Sequence, residues 1–214
     1  TKSNLKKQIS ELSEGACTVP NFLSLFRLVL VPVFIVLFSK NYILWAFIVL
    51  IISGITDFVD GKIARKFHQV SNLGKLLDPV ADKILVCAAC VSFVALDEIV
   101  PAWMVIVIIS REFVVTGVRL LAIQGGTLVP AGAWGKQKMI WQTVLIVTVL
   151  VGLALRDELM PAVLTAEWLD RIQPVFGPVF KWSVWGFAFA VTLLTLVSGL
   201  KYLWDHRELI SRDV

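Results

Sequence analysis

Four aspartates at the end of one apolar stretch and the start of the next are the residues of this sequence best suited to chemistry. Asp57 and Asp60 are three residues apart, and Asp78 and Asp82 are four apart. On helices, these spacings place each pair on one face. Two such helices facing each other would present four carboxylates to one cleft.

Gly61 and Ala64 share the helical face of the first pair. A charge near the bilayer centre costs at least roughly 2.5 to 3.5 kcal/mol, so the aspartates need water, cations or one another. One interpretation is a charged hairpin at the membrane surface, with the aspartates paired to nearby basic residues. The space beside Gly61 and Ala64 favours a ligand site instead, because an ion-pair network would not need it. The basic residues in question are Lys62, Arg65, Lys75 and Lys83.

The number and type of these carboxylates predict a metal site. Hard oxygen ligands suit Mg²⁺ or Mn²⁺, and two divalent ions would neutralise four carboxylates while leaving capacity for phosphate oxygens. Two such ions are the arrangement of a phosphoryl-transfer site. The sequence contains no histidine cluster, Walker glycine loop or cysteine pair that competes with this interpretation.

Apolar helices must position these residues. Hydrophobic residues make up 57% of the 214-residue chain and charged residues 17%, which is outside the balance of a soluble domain. We therefore predict an all-α integral membrane protein, with residues 1–214 forming one domain in contact with membrane lipid and with no nucleic-acid partner. Its six transmembrane helices are predicted at 22–38, 42–56, 76–96, 99–123, 139–155 and 179–204.

The distribution of basic residues predicts the orientation. Six spans place both termini on one side, together with the aspartates and most Lys and Arg residues. By the positive-inside rule that side is cytoplasmic. The opposite side has only Lys40, Arg156, Arg171 and Lys181 as basic residues.

Two further segments are expected at the membrane surface. In residues 1–17, Leu5, Ile9 and Leu12 form a helical stripe, which predicts an amphipathic juxtamembrane helix; a frayed terminus is the alternative. Residues 157–178 contain several prolines around Trp168, which predicts an interfacial hairpin on the outer side.

At the aspartates the sequence resembles the CDP-alcohol phosphotransferase family. The fixed positions of that family's signature are filled, over residues 57–82, by Asp57, Asp60, Gly61, Ala64, Arg65, Gly74, Asp78 and Asp82. The six-span layout is also similar. The resemblance implies an enzyme of the bacterial cytoplasmic membrane, acting on CDP-diacylglycerol from the cytoplasmic side and forming a homodimer.

The resemblance also implies roles for individual residues. Asp57, Asp60, Asp78 and Asp82 would hold two Mg²⁺ or Mn²⁺ ions, and Asp82 would be the general base. The CDP-lipid would be bound by Asn21, Ser24, Arg27, Asp57, Gly61, Ala64, Arg65, Gly74 and Asp78.

Three segments resemble the branch of the family whose acceptor is glycerol 3-phosphate. The segment from Thr18 to Arg27 resembles its opening motif, with Ser24 where Thr is usual. Arg111-Glu112-Phe113 followed by Arg119 resembles its fourth span. The segment Gly135-Lys136-Gln137-Lys138 followed by Gln142 resembles its fifth span, with Met139 where Thr is common.

The basic residues of these segments also suit an anionic acceptor. Arg111 and Arg119 lie eight residues apart, on one face of an apolar stretch, where arginines indicate function by default. With Lys136 and Lys138 they would bind the acceptor phosphate. The alternative is that Arg111 pairs with Glu112 or an aspartate and that the lysines only follow the positive-inside rule.

The resulting prediction is transfer of the phosphatidyl group of CDP-diacylglycerol to glycerol 3-phosphate, which gives phosphatidylglycerol phosphate and CMP. Related enzymes that use phosphatidylglycerol, to form cardiolipin, or an inositol phosphate are alternatives. A small membrane ion transporter is the alternative from another class; it would move ions without forming CMP.

Overall fold

The computed structural model describes the backbone of residues 19–67, 72–95, 99–124 and 133–207. Side chains are described at 25–56, 83–95, 99–119, 135 and 137–207. No β-strand occurs among these residues, which confirms the all-α class. The predicted amphipathic segment 1–17 lies outside them.

Six long helices overlap the six predicted apolar stretches. The helices are α1 (Val19–Ser39), α2 (Ile43–Phe67), α3 (Asn72–Ala95), α4 (Ala102–Gln124), α5 (Ala133–Ala154), the short α6 (Met160–Val163) and α7 (Ala166–Asp205), with a π-helical turn at Leu155–Leu159. Within the described residues, Gln137–Val163 and Ala166–Asp205 are each long and apolar enough to cross a membrane. The count of six spans stays a prediction.

The chain divides into two compact units, Thr1–Ala88 and Ala89–Val214. In the first, α1 and α2 pack together as a helical hairpin. α1 ends because Asn41 adopts the left-handed conformation (φ 60°) at the position after the cap. There the Tyr42 N–H donates to Leu37 O at 2.9 Å and the Asn41 N–H to Phe38 O at 3.0 Å, the bonds of a Schellman motif.

In the second unit, α7 packs against both α4 and α5. Its buried side chains include Val184, Ala188 and Val191, and those of the other two helices include Met104 and Ile108 in α4 and Ile146 and Val149 in α5. These residues recur at intervals of three or four, so each helix presents one apolar face to its neighbours. Burial of these faces is the main stabilising contribution to the unit.

Contacts between side chains show the relative directions of these helices. Trp103 of α4 meets Phe189 of α7 with ring centroids 6.2 Å apart, and the later residue Arg111 meets the later residue Ser198, so α4 and α7 run parallel. Trp141 of α5 meets Phe187, whereas the later residue Gly152 meets the earlier residue Phe180. Helices α5 and α7 therefore run antiparallel.

The stretch 157–178 differs from the expected hairpin. The chain reverses only at Leu164 and Thr165, which have extended backbones (ψ 145° and 157°), and α7 then runs through Pro174 and Pro178 without interruption. A proline removes a backbone donor and leaves a carbonyl without its helical partner. Both prolines are exposed, so surrounding polar groups can satisfy those carbonyls.

Large apolar side chains cover the outside of the second unit. Several are more than half exposed, namely Ile106, Phe113, Ile140, Trp182, Val197, Leu200 and Trp204. Extensive apolar exposure of this kind is costly in water and favourable against lipid. The surface therefore supports a membrane location.

Gly152 allows α5 and α7 to approach closely, because the Phe180 ring occupies the space of a β-carbon at that position. We expect Gly152→Ala to be less stable than Gly186→Ala by about 1–3 kcal/mol, the usual cost of overpacking. Gly186 is the matched control, since nothing lies within 4 Å of a β-carbon there and it belongs to α7, the helix that Gly152 of α5 contacts. Thermal melting in detergent measures the difference; equal melting temperatures would contradict the close approach.

Candidate active site

The four aspartates lie within regular helices. Asp57 and Asp60 belong to α2, which continues to Phe67, and Asp78 and Asp82 belong to α3. Each pair therefore lies on one face of its helix, as the spacing in the sequence predicts. Their side chains are outside the described set, so their convergence on a metal site stays a prediction.

For most residues expected to bind the CDP-lipid, the structure likewise describes only the helix in which they lie. Asn21 and Ser24 lie in α1, Gly61, Ala64 and Arg65 in α2, and Gly74 in α3, all with undescribed side chains. Arg27 is described and is 3% exposed. Ser53, one turn before Asp57 on α2, is 5% exposed and extends the polar positions of that helix into its apolar half.

The second unit contains a group of buried and partly buried charged side chains, which we call the basic cluster: Arg111, Glu112 and Arg119 of α4 and Lys138 of α5. Glu112 Oε1 forms an ion pair with Lys138 Nζ and lies 3.7 Å from Nη1 of Arg111. The exposed fractions of the Arg111, Glu112 and Lys138 side chains are 13%, 14% and 3%. One carboxylate thus serves two cations, and the pairing of Arg111 with Glu112 that the sequence left open does occur.

Arg111 also contacts helix α7. Arg111 Nη2 donates a hydrogen bond to Ser198 Oγ at 3.2 Å. At Gly199, a β-carbon would lie 2.7 Å from Arg111 Cγ, a distance at which one of the two groups must move. The absence of a side chain at Gly199 therefore lets Arg111 pass directly against α7.

The arginines of the basic cluster retain hydrogen-bonding capacity. The Nε atoms of Arg111 and Arg119 are buried, and neither has a hydrogen-bond partner among the residues that the structure describes. Buried donors normally have acceptors, and a missing acceptor at a charged group is costly. Lys136 also lies in α5, but its side chain is not described.

The charge of the basic cluster suits an anion. Three cations and one carboxylate sum to 3 − 1 = +2 formal charges. A phosphate monoester carries about −1.5 to −2 charges near neutral pH and offers several acceptor oxygens. Arginine binds such groups well because its fork of N–H donors matches phosphate geometry.

The predicted metal ligands are not among the described side chains. Among them, no three His, Cys, Asp or Glu residues group in a way that could hold an ion. The four aspartates lie outside that set, so the finding does not bear on them.

Sequence reasoning did not identify the part that α7 plays. Ser198, Gly199 and Tyr202 fall in the last apolar stretch, 179–204, for which the sequence predicts only a transmembrane helix. A usable signal existed: Thr195, Ser198 and Tyr202 are spaced by three and four residues, a polar line on one face of an apolar helix.

Comparison with known proteins identifies the family. Residues 17–194 match the family model described as CDP-alcohol phosphatidyltransferase. The chain is 42% identical over 208 residues to a CDP-diacylglycerol–glycerol-3-phosphate 3-phosphatidyltransferase of Bacillus subtilis, covering 90% of this chain and 97% of that protein. It is 32% identical over 214 residues to a cardiolipin synthase (CMP-forming) of Streptomyces coelicolor, covering 94% and 88% of the two chains.

A third relative is named for the same activity as the first. It is a CDP-diacylglycerol–glycerol-3-phosphate 3-phosphatidyltransferase of Haemophilus influenzae, 35% identical over 149 residues, which cover 64% of this chain and 76% of that protein. The family match spans most of the chain and includes the four aspartates and the whole of α4 and α5. The chain therefore belongs to the CDP-alcohol phosphatidyltransferase family.

Proposed function

We propose that this protein transfers the phosphatidyl group of CDP-diacylglycerol to glycerol 3-phosphate, a step of phospholipid biosynthesis that releases CMP. The similarity to the Bacillus subtilis enzyme over nearly its whole length supports the reaction. The acceptor assignment rests on one structural observation: the basic cluster is largely withdrawn from solvent, has surplus positive charge and holds two arginine Nε donors that lack a hydrogen-bond partner among the described residues. A small phosphate monoester supplies the charge and the acceptors that this cluster lacks.

The aspartates of α2 and α3 form the chemical half of the proposal. As a donor set, Asp57, Asp60, Asp78 and Asp82 fit two Mg²⁺ or Mn²⁺ ions, because they are hard oxygen ligands at helical spacings on two successive helices. Such ions, when bound, neutralise charge on the diphosphate and on the departing CMP. Residues of α1, α2 and α3 would bind the CDP-lipid, namely Asn21, Ser24, Arg27, Gly61, Ala64, Arg65 and Gly74.

The transfer step needs a base and an oriented acceptor. Asp82 would take the proton of the acceptor hydroxyl as its oxygen bonds to the lipid-side phosphorus. The bond from that phosphorus to CMP breaks, and CMP leaves with the electron pair. Arg111 and Arg119, with Lys136 and Lys138 beside them, would hold the acceptor phosphate so that its free hydroxyl is positioned for attack.

The positive-inside distribution supports a site open to the cytoplasm, where the water-soluble acceptor is available. The expected homodimer stays a prediction. Family membership favours a transferase over the ion transporter. A second candidate acceptor is phosphatidylglycerol, which would give cardiolipin; the Streptomyces coelicolor relative favours it.

The acceptor is tested by measuring CMP release from CDP-diacylglycerol by the purified protein in detergent. We expect release with glycerol 3-phosphate and Mg²⁺, loss of release on chelation by EDTA, and recovery when Mg²⁺ is added back. Phosphatidylglycerol or inositol phosphate as the sole acceptor should support little release. Faster release with phosphatidylglycerol would favour the cardiolipin reaction, and full activity in EDTA would contradict the metal site.

Asp60→Asn and Asp78→Asn test the carboxylate site. Each change removes a negative charge from the expected ion site, which is worth several kcal/mol in the transition state, so CMP release should fall at least about 100-fold. The melting temperature should stay near that of the wild type. Asp170→Asn makes the same chemical change at an exposed position at the start of α7 and should leave the rate unchanged. Near-normal rates in both site variants would refute the assignment.

Gly199→Ala tests the placement of Arg111. The added methyl would displace Arg111 from its contact with Ser198, so the KM for glycerol 3-phosphate should rise about tenfold while the KM for CDP-diacylglycerol changes little. Gly186→Ala on the same helix should change neither constant, since it meets no neighbour. Equal increases in both KM values would count against a specific role of Arg111 in acceptor binding.

A further inference from the structure

One face of α7 is exposed and points away from the basic cluster. Val197, Leu200 and Trp204 follow one another at intervals of three and four residues, and each is more than half exposed. Gly199, which contacts Arg111, lies about 140° around the helix from Trp204. The three exposed residues continue the apolar surface of the second unit that is favourable against lipid. We call them the lipid face of α7.

Tryptophans mark the two ends of this exposed surface. Trp182 and Trp204 are both 70% exposed and lie 22 residues apart on α7, which corresponds to a rise of about 33 Å. The hydrocarbon core of a bilayer is about 30 Å thick, and tryptophan is enriched at both of its boundaries. Lys181, the neighbour of Trp182, is exposed, and a cation is costly within the hydrocarbon. The spacing therefore places Trp204 at the opposite boundary, beside the phospholipid headgroups.

A cation stacks on Trp204 at this boundary. The guanidinium carbon of Arg207 lies 4.9 Å from the centre of the Trp204 ring, within the range of a cation–π contact. Among the residues that the structure describes, no carboxylate forms an ion pair with Arg207. A stacked guanidinium keeps the N–H donors at its edge available for an anion. Arg207 thus combines charge and hydrogen-bond donors at the level of the headgroups.

The N-terminal end of α7 carries the same kind of stack, but with its charge compensated. The guanidinium carbon of Arg171 lies 5.8 Å from the centre of the Trp168 ring. Its Nη2 also lies 3.1 Å from Glu167 Oε1, so the arginine forms an ion pair within its own helix. A carboxylate partner reduces the attraction of an arginine for a further anion. The two stacks therefore differ in net charge.

Other charged residues leave the C-terminal end of α7 positive. Lys201 is exposed and lies one turn before Trp204, so it adds a second cation on this side. Asp205 is also exposed, but it lies about 100° around the helix from Trp204. The His206 ring is directed to Tyr202, on which it stacks with centroids 4.4 Å apart. Two cations therefore outweigh one carboxylate beside the Trp204 ring.

We propose that Trp204 and Arg207, with Lys201 beside them, form a binding site for the headgroup of an anionic phospholipid. The lipid phosphate accepts hydrogen bonds from Arg207, and the acyl chains lie along Leu200 and Val197. The positive charge favours an anionic lipid over a zwitterionic one. In the predicted orientation this end of α7 is cytoplasmic, where anionic lipids create a negative surface potential. The inference does not depend on the proposed function.

Native mass spectrometry of the purified protein in detergent tests this site by measuring how tightly added lipids are retained. The probes are phosphatidylserine and phosphatidylcholine with identical acyl chains, since neither is a substrate of the proposed reaction. We expect the wild type to retain phosphatidylserine more tightly. Arg207→Gln should weaken that retention about fivefold, the usual contribution of one basic residue near an anionic surface, and should leave retention of phosphatidylcholine unchanged.

Arg171→Gln is the matched control. It removes the same group from a tryptophan stack on the same helix, but from one whose charge Glu167 already compensates, so retention of phosphatidylserine should not change. Trp204→Leu keeps an apolar side chain and removes the ring on which Arg207 rests. This variant should weaken retention of phosphatidylserine about two- to threefold, as for loss of an exposed cation–π contact.

Four outcomes would overturn the inference. The first is equal retention of the two lipids by the wild type, and the second is equal loss of phosphatidylserine from Arg207→Gln and Arg171→Gln. Displacement of phosphatidylserine by inorganic phosphate at constant ionic strength would indicate a site for free phosphate instead. A changed oligomeric state of Arg207→Gln with unchanged lipid retention would indicate a contact with a second copy of the chain.

Discussion

The need to compensate charge within apolar helices governs the arrangement of α4, α5 and α7. Arg111 and Lys138 are largely withdrawn from water, and Glu112 is the carboxylate that both contact. Burying a charge is tolerable only when partners replace the lost hydration. Glu112 supplies part of that replacement and leaves a net positive charge. In the proposed function, this net positive charge attracts the anionic acceptor.

Helices α4 and α5 carry the charged residues of the basic cluster, and α7 provides the surface against which Arg111 packs. Gly199 gives the stem of Arg111 room to lie against the helix, and Ser198 fixes the end of its guanidinium. Small residues at helix contacts are common in membranes, where close packing replaces the hydrophobic driving force between helices. Here the close approach also orients a charged side chain. In the proposed function, the same contact both packs α7 against α4 and positions Arg111 for the acceptor.

Relatives that are named for two different activities match nearly the whole chain. A shared family does not decide the acceptor, because specificity depends on the detailed chemistry of the site. In the proposed division of roles, the carboxylates of α2 and α3 carry the transfer chemistry and the basic cluster selects the acceptor. Ser198 of α7 accepts a hydrogen bond from Arg111 and so fixes the orientation of one cation of that cluster.

Hydropathy and helical spacing are properties of neighbouring residues, so the helical class, the approximate helices and the family signature could be predicted from the sequence alone. It misled at 157–178, where local proline signals suggested a hairpin but the chain is helical on both sides of a two-residue turn. Only the tertiary structure decided that Glu112 pairs with Lys138 and that Arg111 meets Ser198, 87 residues away. Such contacts depend on how helices pack and in which register, and no local pattern specifies either.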